Sequence, residues 1–462
     1  MITQSIKDIV KACNGRIIKT GSIENIENIS TDSRKMKNNS LFIPLTGQNF
    51  DGHDFLKMAK DNGAIAVLYQ QNIKINYETL QGIYIIEVDN TLDALQAISR
   101  YYRNLFDIPF IAVTGSTGKT STKDMMASIL SEKYNVLKNE GNFNNHIGLP
   151  LSIFNLEDNH EIGILEMGMS NFGEILELTE ITRPHISVIT NIGYSHIEYL
   201  GSKENIMKAK MECSKFLKAD DYLLLNGDDE YLKTLKNKDS IYKKIFFGLS
   251  QDNDIYPKNL KNLGEKGFTF DVELDGREHS FTIKQQGIHN VYNALVGIWI
   301  GWYKGLNIDE IKNGLINYTP SKMRMEIIKT NNITIVNDAY NASPDSMKAA
   351  LSVIKDMNGN RKIAVLGNML ELGQFSEKVH RNVGEHAVDK IDILISIGDY
   401  AKWIAEEFKK YDNKKDVYTV NSNNEACDIL NRILKEDDIV LLKGSRGMKL
   451  EEIAVYLQER CN

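Results

Sequence analysis

Positive charge in excess is the first thing this chain lacks: 55 Lys and Arg stand against 62 Asp and Glu, a formal net charge of −7. With no Lys/Arg block standing apart, that balance excludes a general nucleic-acid or membrane-surface binder, so an anionic ligand has to be held locally. Cysteine is scarce too. Cys13, Cys213, Cys427 and Cys461 are scattered without a Cys-x-x-Cys pair, which argues against a zinc site or disulfide framework and fits a reducing compartment. No apolar run approaches bilayer length, and polar and acidic residues interrupt the apolar ones of Met1 to Gly15, unlike a secretory leader. The expectation is a cytoplasmic protein without membrane insertion. Internal repeats, low-complexity tracts and long linkers are missing as well, so the 462 residues are expected to divide into two to four domains of ordinary size.

What is present begins with Phe110-Ile111-Ala112-Val113-Thr114-Gly115-Ser116-Thr117-Gly118-Lys119-Thr120-Ser121. An apolar strand runs into a Gly/Ser/Thr turn and then a helix, the pattern of a phosphate cradle. Gly115 and Gly118 let the backbone turn tightly so that N–H groups converge at the helix N-terminus. Lys119 adds a point charge for the outer phosphates, and the Thr120 hydroxyl suits a bound Mg2+. Val113 stands where the general P-loop pattern has Gly, so the loop is a shorter variant.

Apolar runs and helical periodicity group into three segments, and the expected fold class is α/β with three domains. The first, about 1–106, has helix patterns at 6–12, 55–61 and 92–105 and strand patterns at 41–45, 64–69 and 84–88. The second, 107–320, opens on the phosphate loop and carries continuous apolar runs at 162–165 and 186–190 that suit buried parallel strands. The third, 321–462, alternates strands at 333–336, 362–366, 393–397, 417–420 and 439–442 with helices near 343–357, 376–389, 400–410, 424–434 and 449–459, predicting a doubly wound, Rossmann-like sheet.

Ligands of open α/β sheets sit beyond the carboxyl ends of the strands. Glu166 and Asn191 end two strands of the second segment, and His196 follows closely. A carboxylate and an imidazole beside the phosphate loop suit a divalent metal that bridges nucleotide phosphates to a second substrate. By themselves, Glu166 reads equally as a helix cap, His196 as an ordinary loop histidine, and Lys210, on a helix expected at 204–217, as a solvated lysine.

Taken together, the motifs resemble the Mur ligases over nearly the whole chain. The resemblance rests on Thr31-Asp32-Ser33-Arg34 with Asp51-Gly52-His53, the loop Thr114 to Thr120, and Gly141-Asn142-Phe143-Asn144-Asn145-His146-Ile147-Gly148-Leu149-Pro150. It continues through Glu166-Met167-Gly168, Asn191 to His196 with Lys210, and Gly287-Ile288-His289-Asn290-Val291-Tyr292-Asn293-Ala294-Leu295. Met323-Arg324-Met325-Glu326, Asn337 to Met347 and Lys443-Gly444-Ser445-Arg446-Gly447 complete it. Within the family, Gly141 to Pro150, Asp338 to Met347 and Leu366 to Gly373 point to the branch that adds D-alanyl-D-alanine to a UDP-N-acetylmuramoyl-tripeptide in peptidoglycan synthesis. No Asp-x-x-Arg amino-acid clamp of the diaminopimelate or lysine adder occurs in the third segment.

The resemblance implies a three-domain ATP-dependent ligase: an N-terminal UDP-substrate domain, a central ATP-binding domain and a C-terminal Rossmann-like domain that closes over it. It implies that Gly115, Ser116, Thr117, Gly118, Lys119, Thr120 and Ser121 hold ATP phosphates, with Thr120 and Glu166 on Mg2+. His196 is then a ligand of a second Mg2+, and Lys210, carbamylated by CO2, helps organise that ion. Asn290 and Asn293 fall near the adenine, Arg324 at the γ-phosphate, and Asp338, Tyr340 and Asn341 at the ribose and base side. Ser33 and Arg34 grip the uridine diphosphate, while Asn142, Asn144 and Asn145 line the muramoyl-peptide path. Lys119, His196, Lys210 and Arg324 are the implied catalytic set. The dipeptide pocket is expected near Asn368, Glu371 and Ser346, and the protein is expected to be a monomer. Ser195 departs from the family, several members of which carry an acidic residue before the His. The alternatives are a sister Mur ligase or a folylpolyglutamate-type ligase, a P-loop kinase or ATPase, and a nucleotide-binding regulator without catalysis.

Overall fold

The computed structural model describes residues 1–47 and 50–461, apart from the side chain of Cys461; that cysteine's expected isolation therefore lies outside the described residues. Cys13, Cys213 and Cys427 are unpaired. The architecture is α/β, built on three principal sheets.

The N-terminal sheet has five strands in the order Arg16–Lys19, Tyr84–Val88, Ala64–Gln70, Ser40–Phe42 and Asn28–Ser30, parallel except at the Arg16–Lys19 edge. Helix Thr91–Arg103 starts on an Asn90 cap and joins this layer to the next. Its Tyr102 hydroxyl donates to Leu156 O at 2.7 Å, and buried Arg103 donates to Thr182 O at 2.8 Å. The Asp51-Gly52-His53 motif is structural here. His53 is buried, with Nδ1 2.6 Å from Asp51 and Nε2 accepting from Gln70 N.

The central sheet is wholly parallel, in the order Lys243–Phe247, Tyr222–Asn226, Ile186–Ile189, Phe110–Thr114, Ile162–Glu166, Val136–Lys138. After Phe110–Thr114 the chain first winds to one side of that strand and then to the other. The crevice therefore opens at its carboxyl end, with Glu166 on one flank and Asn191 on the other. Apolar strands buried on both faces, such as Phe110 to Val113, are what a helix-covered parallel sheet demands. Helix Lys119–Leu130 packs on helices His289–Tyr303 and Ile308–Asn317. An antiparallel sheet of Lys258–Asn262, Phe268–Leu274 and Arg277–Ile283 had no counterpart in the sequence reading.

The C-terminal sheet runs Glu326–Lys329, Ile333–Asn337, Asp438–Lys443, Lys362–Gly367, Ile393–Ile397, Asp416–Val420. Its strands are parallel except for Glu326–Lys329, an antiparallel edge that the doubly wound expectation did not include. The helix expected at 204–217 is α-helical only over Lys203–Met211 and continues as a 3-10 turn at Glu212–Ser214. Among the described residues, no helix is long and apolar enough to cross a membrane.

Candidate active site

A cavity of about 1100 Å³ lies between the central and C-terminal sheets, slightly above the usual range for small-molecule pockets. The phosphate loop forms its floor. Gly115 (φ +150°) and Gly118 (φ +80°) take backbone conformations suited to glycine. At Gly115 a Cβ would lie 1.8 Å from Thr190 Oγ1, so no larger residue fits that turn. The loop is pinned from the neighbouring strand end. Ser116 N donates to Asn191 O at 3.0 Å, Thr117 N to Asn191 Oδ1 at 2.9 Å, and Thr190 Oγ1 to Thr117 O at 2.6 Å. Asn191 is thus a scaffold of the loop. Lys119 Nζ donates to Gly115 O at 2.8 Å. Burial pushes its ammonium below the usual lysine range, with Glu166 opposing that shift and Arg324 adding to it.

Glu166 ends its strand buried but well partnered. Oε2 accepts from Thr120 Oγ1 at 2.8 Å and Oε1 from Asn144 Nδ2 at 2.7 Å. Asn139, buried beneath them, holds the Glu166 backbone on both sides, its Oδ1 accepting from Glu166 N and its Nδ2 donating to Glu166 O. So Thr120 and Glu166 come together as the sequence implies, and Asn144 acts on Glu166. Asn145 Oδ1 caps the helix Gly148–Ile153 through Gly148 N at 2.8 Å, and Asn142 is exposed outside the cavity wall.

Lys210 is buried, 1 % exposed, and its amine has no hydrogen-bond or ion-pair partner among the described residues. Burial first, then neighbouring Lys119, lowers its pKa far below the ordinary lysine value. Burial thus disfavours the ammonium; the neutral amine is the form that reacts with CO2, and a carboxylate-like product would fit among metal ligands where a cation does not. Among the described residues no cluster of three or more His, Cys, Asp or Glu forms a ready-made metal cage. Mg2+ commonly takes one or two protein carboxylates together with substrate phosphates, and Glu166 beside Thr120 at the phosphate loop meets that requirement.

The C-terminal domain supplies the opposite wall. Arg324 lies between Met323 (φ +58°) and Met325 (φ +49°), both left-handed. Its guanidinium stacks on Tyr340, 4.1 Å from the ring centroid, and Nη2 reaches Thr120 Oγ1 at 3.4 Å. Asp338 is already engaged: Lys443 Nζ is 2.5 Å from Oδ2, and Met325 N donates to Oδ1. Asn341 is exposed on the rim, its carbonyl accepting from Lys443. Asn290 and Asn293 line the cavity and also lock helices together, Asn293 Oδ1 accepting from Thr122 Oγ1 at 2.8 Å and Asn293 Nδ2 donating to Asn290 Oδ1. His196 reaches the wall as well, its Nδ1 2.6 Å from Glu371 Oε2.

Of the residues expected at the dipeptide pocket, Ser346 lines the cavity and Asn368 does not, and both hold backbone turns. Asn368 Oδ1 caps the turn before helix Lys402–Tyr411 through Tyr400 N and Ala401 N, and Ser346 forms a capping box with Ser343. In the N-terminal domain Ser33 is buried with its hydroxyl on Met58 Sδ, and exposed Arg34 forks onto Asp32; neither lines the cavity. Asn139 and Lys443 were missed as site residues. The strand end preceding Gly444 was a positional signal for Lys443; a lone loop asparagine carries none.

Three family models match the chain: "Mur ligase family, catalytic domain" over residues 25–103, "Mur ligase middle domain" over 113–301, and "Mur ligase, glutamate ligase domain" over 323–446. A Bacillus subtilis protein named UDP-N-acetylmuramoyl-tripeptide--D-alanyl-D-alanine ligase is 40% identical over 463 aligned residues, covering 99% of each chain. The crystal structure of MurF from Acinetobacter baumannii superposes with a TM-score of 0.90 at 26% identity, covering 99% of both chains. MurF ligase from Thermotoga maritima in complex with ADP gives 0.82 at 27% identity, covering 94% of this chain and 97% of that one.

Proposed function

The chain belongs to the Mur ligase family, and from that premise we infer that it joins D-alanyl-D-alanine to UDP-N-acetylmuramoyl-tripeptide, using ATP, in peptidoglycan precursor synthesis. One observation supports the reading above others: a single cavity collects the phosphate loop, the Thr120–Glu166 pair and Arg324 from the opposite domain. A kinase or motor ATPase needs no such second wall.

The chemistry follows from the groups in place. The tripeptide's terminal carboxylate attacks the γ-phosphorus of ATP, the bond to the β,γ-bridging oxygen breaks, and ADP leaves with the electron pair. The acyl phosphate so formed is attacked by the dipeptide amine. The tetrahedral adduct expels phosphate and loses a proton to give the amide. Phosphate-loop N–H groups and Lys119 hold the phosphates, and Arg324 neutralises charge on the group in transfer. Mg2+ held by Thr120 and Glu166, with a second ion at His196 and Lys210, would supply further charge neutralisation at the phosphates. Lys210 joins that set by forming an N–C bond to CO2 and releasing a proton. Closure of the C-terminal wall keeps water from the acyl phosphate. Asn290 and Asn293 serve the adenine end, Asp338, Tyr340 and Asn341 the ribose and base side, and Ser33, Arg34, Asn142, Asn144 and Asn145 the UDP-substrate. In this reading 1–106, 107–320 and 321–462 are the three functional units of a cytoplasmic monomer.

The test is phosphate release by the purified protein with Mg2+, ATP, tripeptide substrate and D-Ala-D-Ala, omitting each in turn, with the product weighed by mass spectrometry. Release that requires both organic substrates and yields the pentapeptide supports the reading. Release that ignores the dipeptide or the tripeptide overturns it.

A further inference from the structure

Among the described residues, six carboxylates line the cavity, and five of them are paired. Glu166 accepts from Thr120 and Asn144, and Asp338 from Lys443 and Met325 N. Glu174 accepts from Ser170 N at 2.8 Å, Glu326 from Met323 N at 3.0 Å, and Glu265 from Asn358 N at 3.2 Å. The sixth is Asp345, in the first turn of helix Pro344–Lys355. Its carboxylate has no hydrogen-bond or ion-pair partner among the described residues.

The helix does not need that carboxylate as a cap, because Ser343 and Ser346 form the capping box at this end. The carboxylate lies against the central domain instead. At Gly193, in the loop after Ile186–Ile189, a Cβ would fall 2.4 Å from Asp345 Oδ2 and 3.2 Å from Ser116 Cβ. Gly193 does not take a positive φ, so its own backbone makes no demand for glycine. What the missing side chain provides is room, for the Asp345 carboxylate and for Ser116, whose Oγ accepts from Gly193 N at 2.8 Å. The C-terminal domain thus sets an unpaired acid beside the phosphate loop of the central one. Asp345 is open to the cavity, yet the protein packed around its carboxylate raises its pKa, with Lys203 and Lys348 opposing the shift and Asp229 adding to it.

A lone carboxylate beside a loop that binds phosphates works against nucleotide binding unless a cation joins it. In the reaction above, Lys119 and Arg324 are engaged by phosphates. The reactant that must bring a cation to the reacting carbonyl is the dipeptide, whose amine is largely protonated at neutral pH.

We propose that Asp345 binds the N-terminal ammonium of the dipeptide and so holds its nitrogen beside the phosphate loop, where the acyl phosphate forms. The contact is a charge-assisted hydrogen bond, made by a residue of one domain at the loop of the other, so the dipeptide site is complete only when the two walls meet. This rests on the functional reading above.

The experiment uses the full chain and two ligands, D-Ala-D-Ala and its analogue with a hydroxyl in place of the N-terminal amine, the analogue being measured as an inhibitor of pentapeptide formation. Asp345→Asn keeps the shape and removes the charge. It is expected to raise the dipeptide KM by about 10- to 100-fold, with the KM values of ATP and the tripeptide substrate unchanged and the inhibition constant of the uncharged analogue scarcely moved. An unchanged dipeptide KM overturns the proposal. So does an equal loss of dipeptide and analogue, which would mark a reshaped pocket, and so does a rise confined to the tripeptide KM, which would assign the carboxylate to that substrate. A shifted Mg2+ dependence at normal dipeptide KM would make Asp345 a metal ligand and overturns it as well. Wild-type protein that makes no pentapeptide defeats the functional reading; wild-type protein that does, with Asp345→Asn unaltered in dipeptide KM, defeats only this inference.

Discussion

Thr120 Oγ1 donates to Glu166 Oε2 at 2.8 Å, tying the first turn of the phosphate-loop helix to the end of the neighbouring strand. The other carboxylate oxygen belongs to Asn144, at 2.7 Å. One buried acid is thereby held from two sides beside the phosphate loop. Asn144→Ala is expected to leave the fold intact and weaken the apparent Mg2+ affinity by about 10-fold or more, the usual effect of removing a partner of a metal-binding carboxylate. The Mg2+ dependence of ATP turnover checks this, and an unaltered Mg2+ curve would show that Thr120 alone orients Glu166.

Gly115 is the position at which the phosphate loop tolerates least. A methyl group there would lie 1.8 Å from Thr190 Oγ1, and Thr190 also donates to Thr117 O. Gly115→Ala must therefore displace the loop, and a shift near 1 Å at reacting atoms costs on the order of 100-fold in rate. Nucleotide titration together with steady-state kinetics is the measurement. Near-normal ADP binding by the variant would mean that Thr190 rotates away freely.

Sequence and structure agree where burial imposes a pattern. The parallel strands Ile162–Glu166 and Ile186–Ile189 were legible from the continuous apolar character of 162–165 and 186–190, and the phosphate loop as glycines at fixed spacing. In the three-stranded sheet over residues 258–283 only the edge strand Lys258–Asn262 is short, polar and without an apolar period; Phe268, Phe270, Val272 and Leu274 alternate into the core ahead of an Asp275-Gly276 turn, a legible hairpin signal that the sequence reading passed over. At the site, Glu166 and His196 were readable as strand-end polar residues. Asn139 and the dual use of Asn191 were not, because their roles are hydrogen bonds to backbone groups that only the folded loops bring near.

Lys210 offers a test in which stability and activity move in opposite directions. Its buried amine has no partner, and such a group costs ~1–3 kcal/mol. Lys210→Met keeps the length and removes the polar atom, so the variant is expected to melt higher than wild type in bicarbonate-free buffer. Ligation is expected to be lost and not restored by bicarbonate. Calorimetry and the phosphate-release assay read the two effects, and a variant that still ligates would remove Lys210 from the reaction.

His380 sets a pH limit on the loop that carries Glu371. It is fully buried, its Nδ1 lies 2.7 Å from Ser376 O, and Nε2 accepts from Met369 N. These partners demand one neutral tautomer, with the proton on Nδ1. Burial pushes its pKa from 6.5 down to about 4, with the Ser376 carbonyl opposing the shift. The unfolded chain then takes up this proton before the folded one does. The contribution is whole above about pH 6.5, declines as pH falls, and is lost near pH 4, on the order of 3 kcal/mol in all. Urea denaturation of wild type at a series of pH values across that window is expected to show this slope, and His380→Gln to flatten it while starting from a lower stability at neutral pH. Parallel slopes for the two proteins would assign the acid sensitivity to other groups and leave His380 as packing alone.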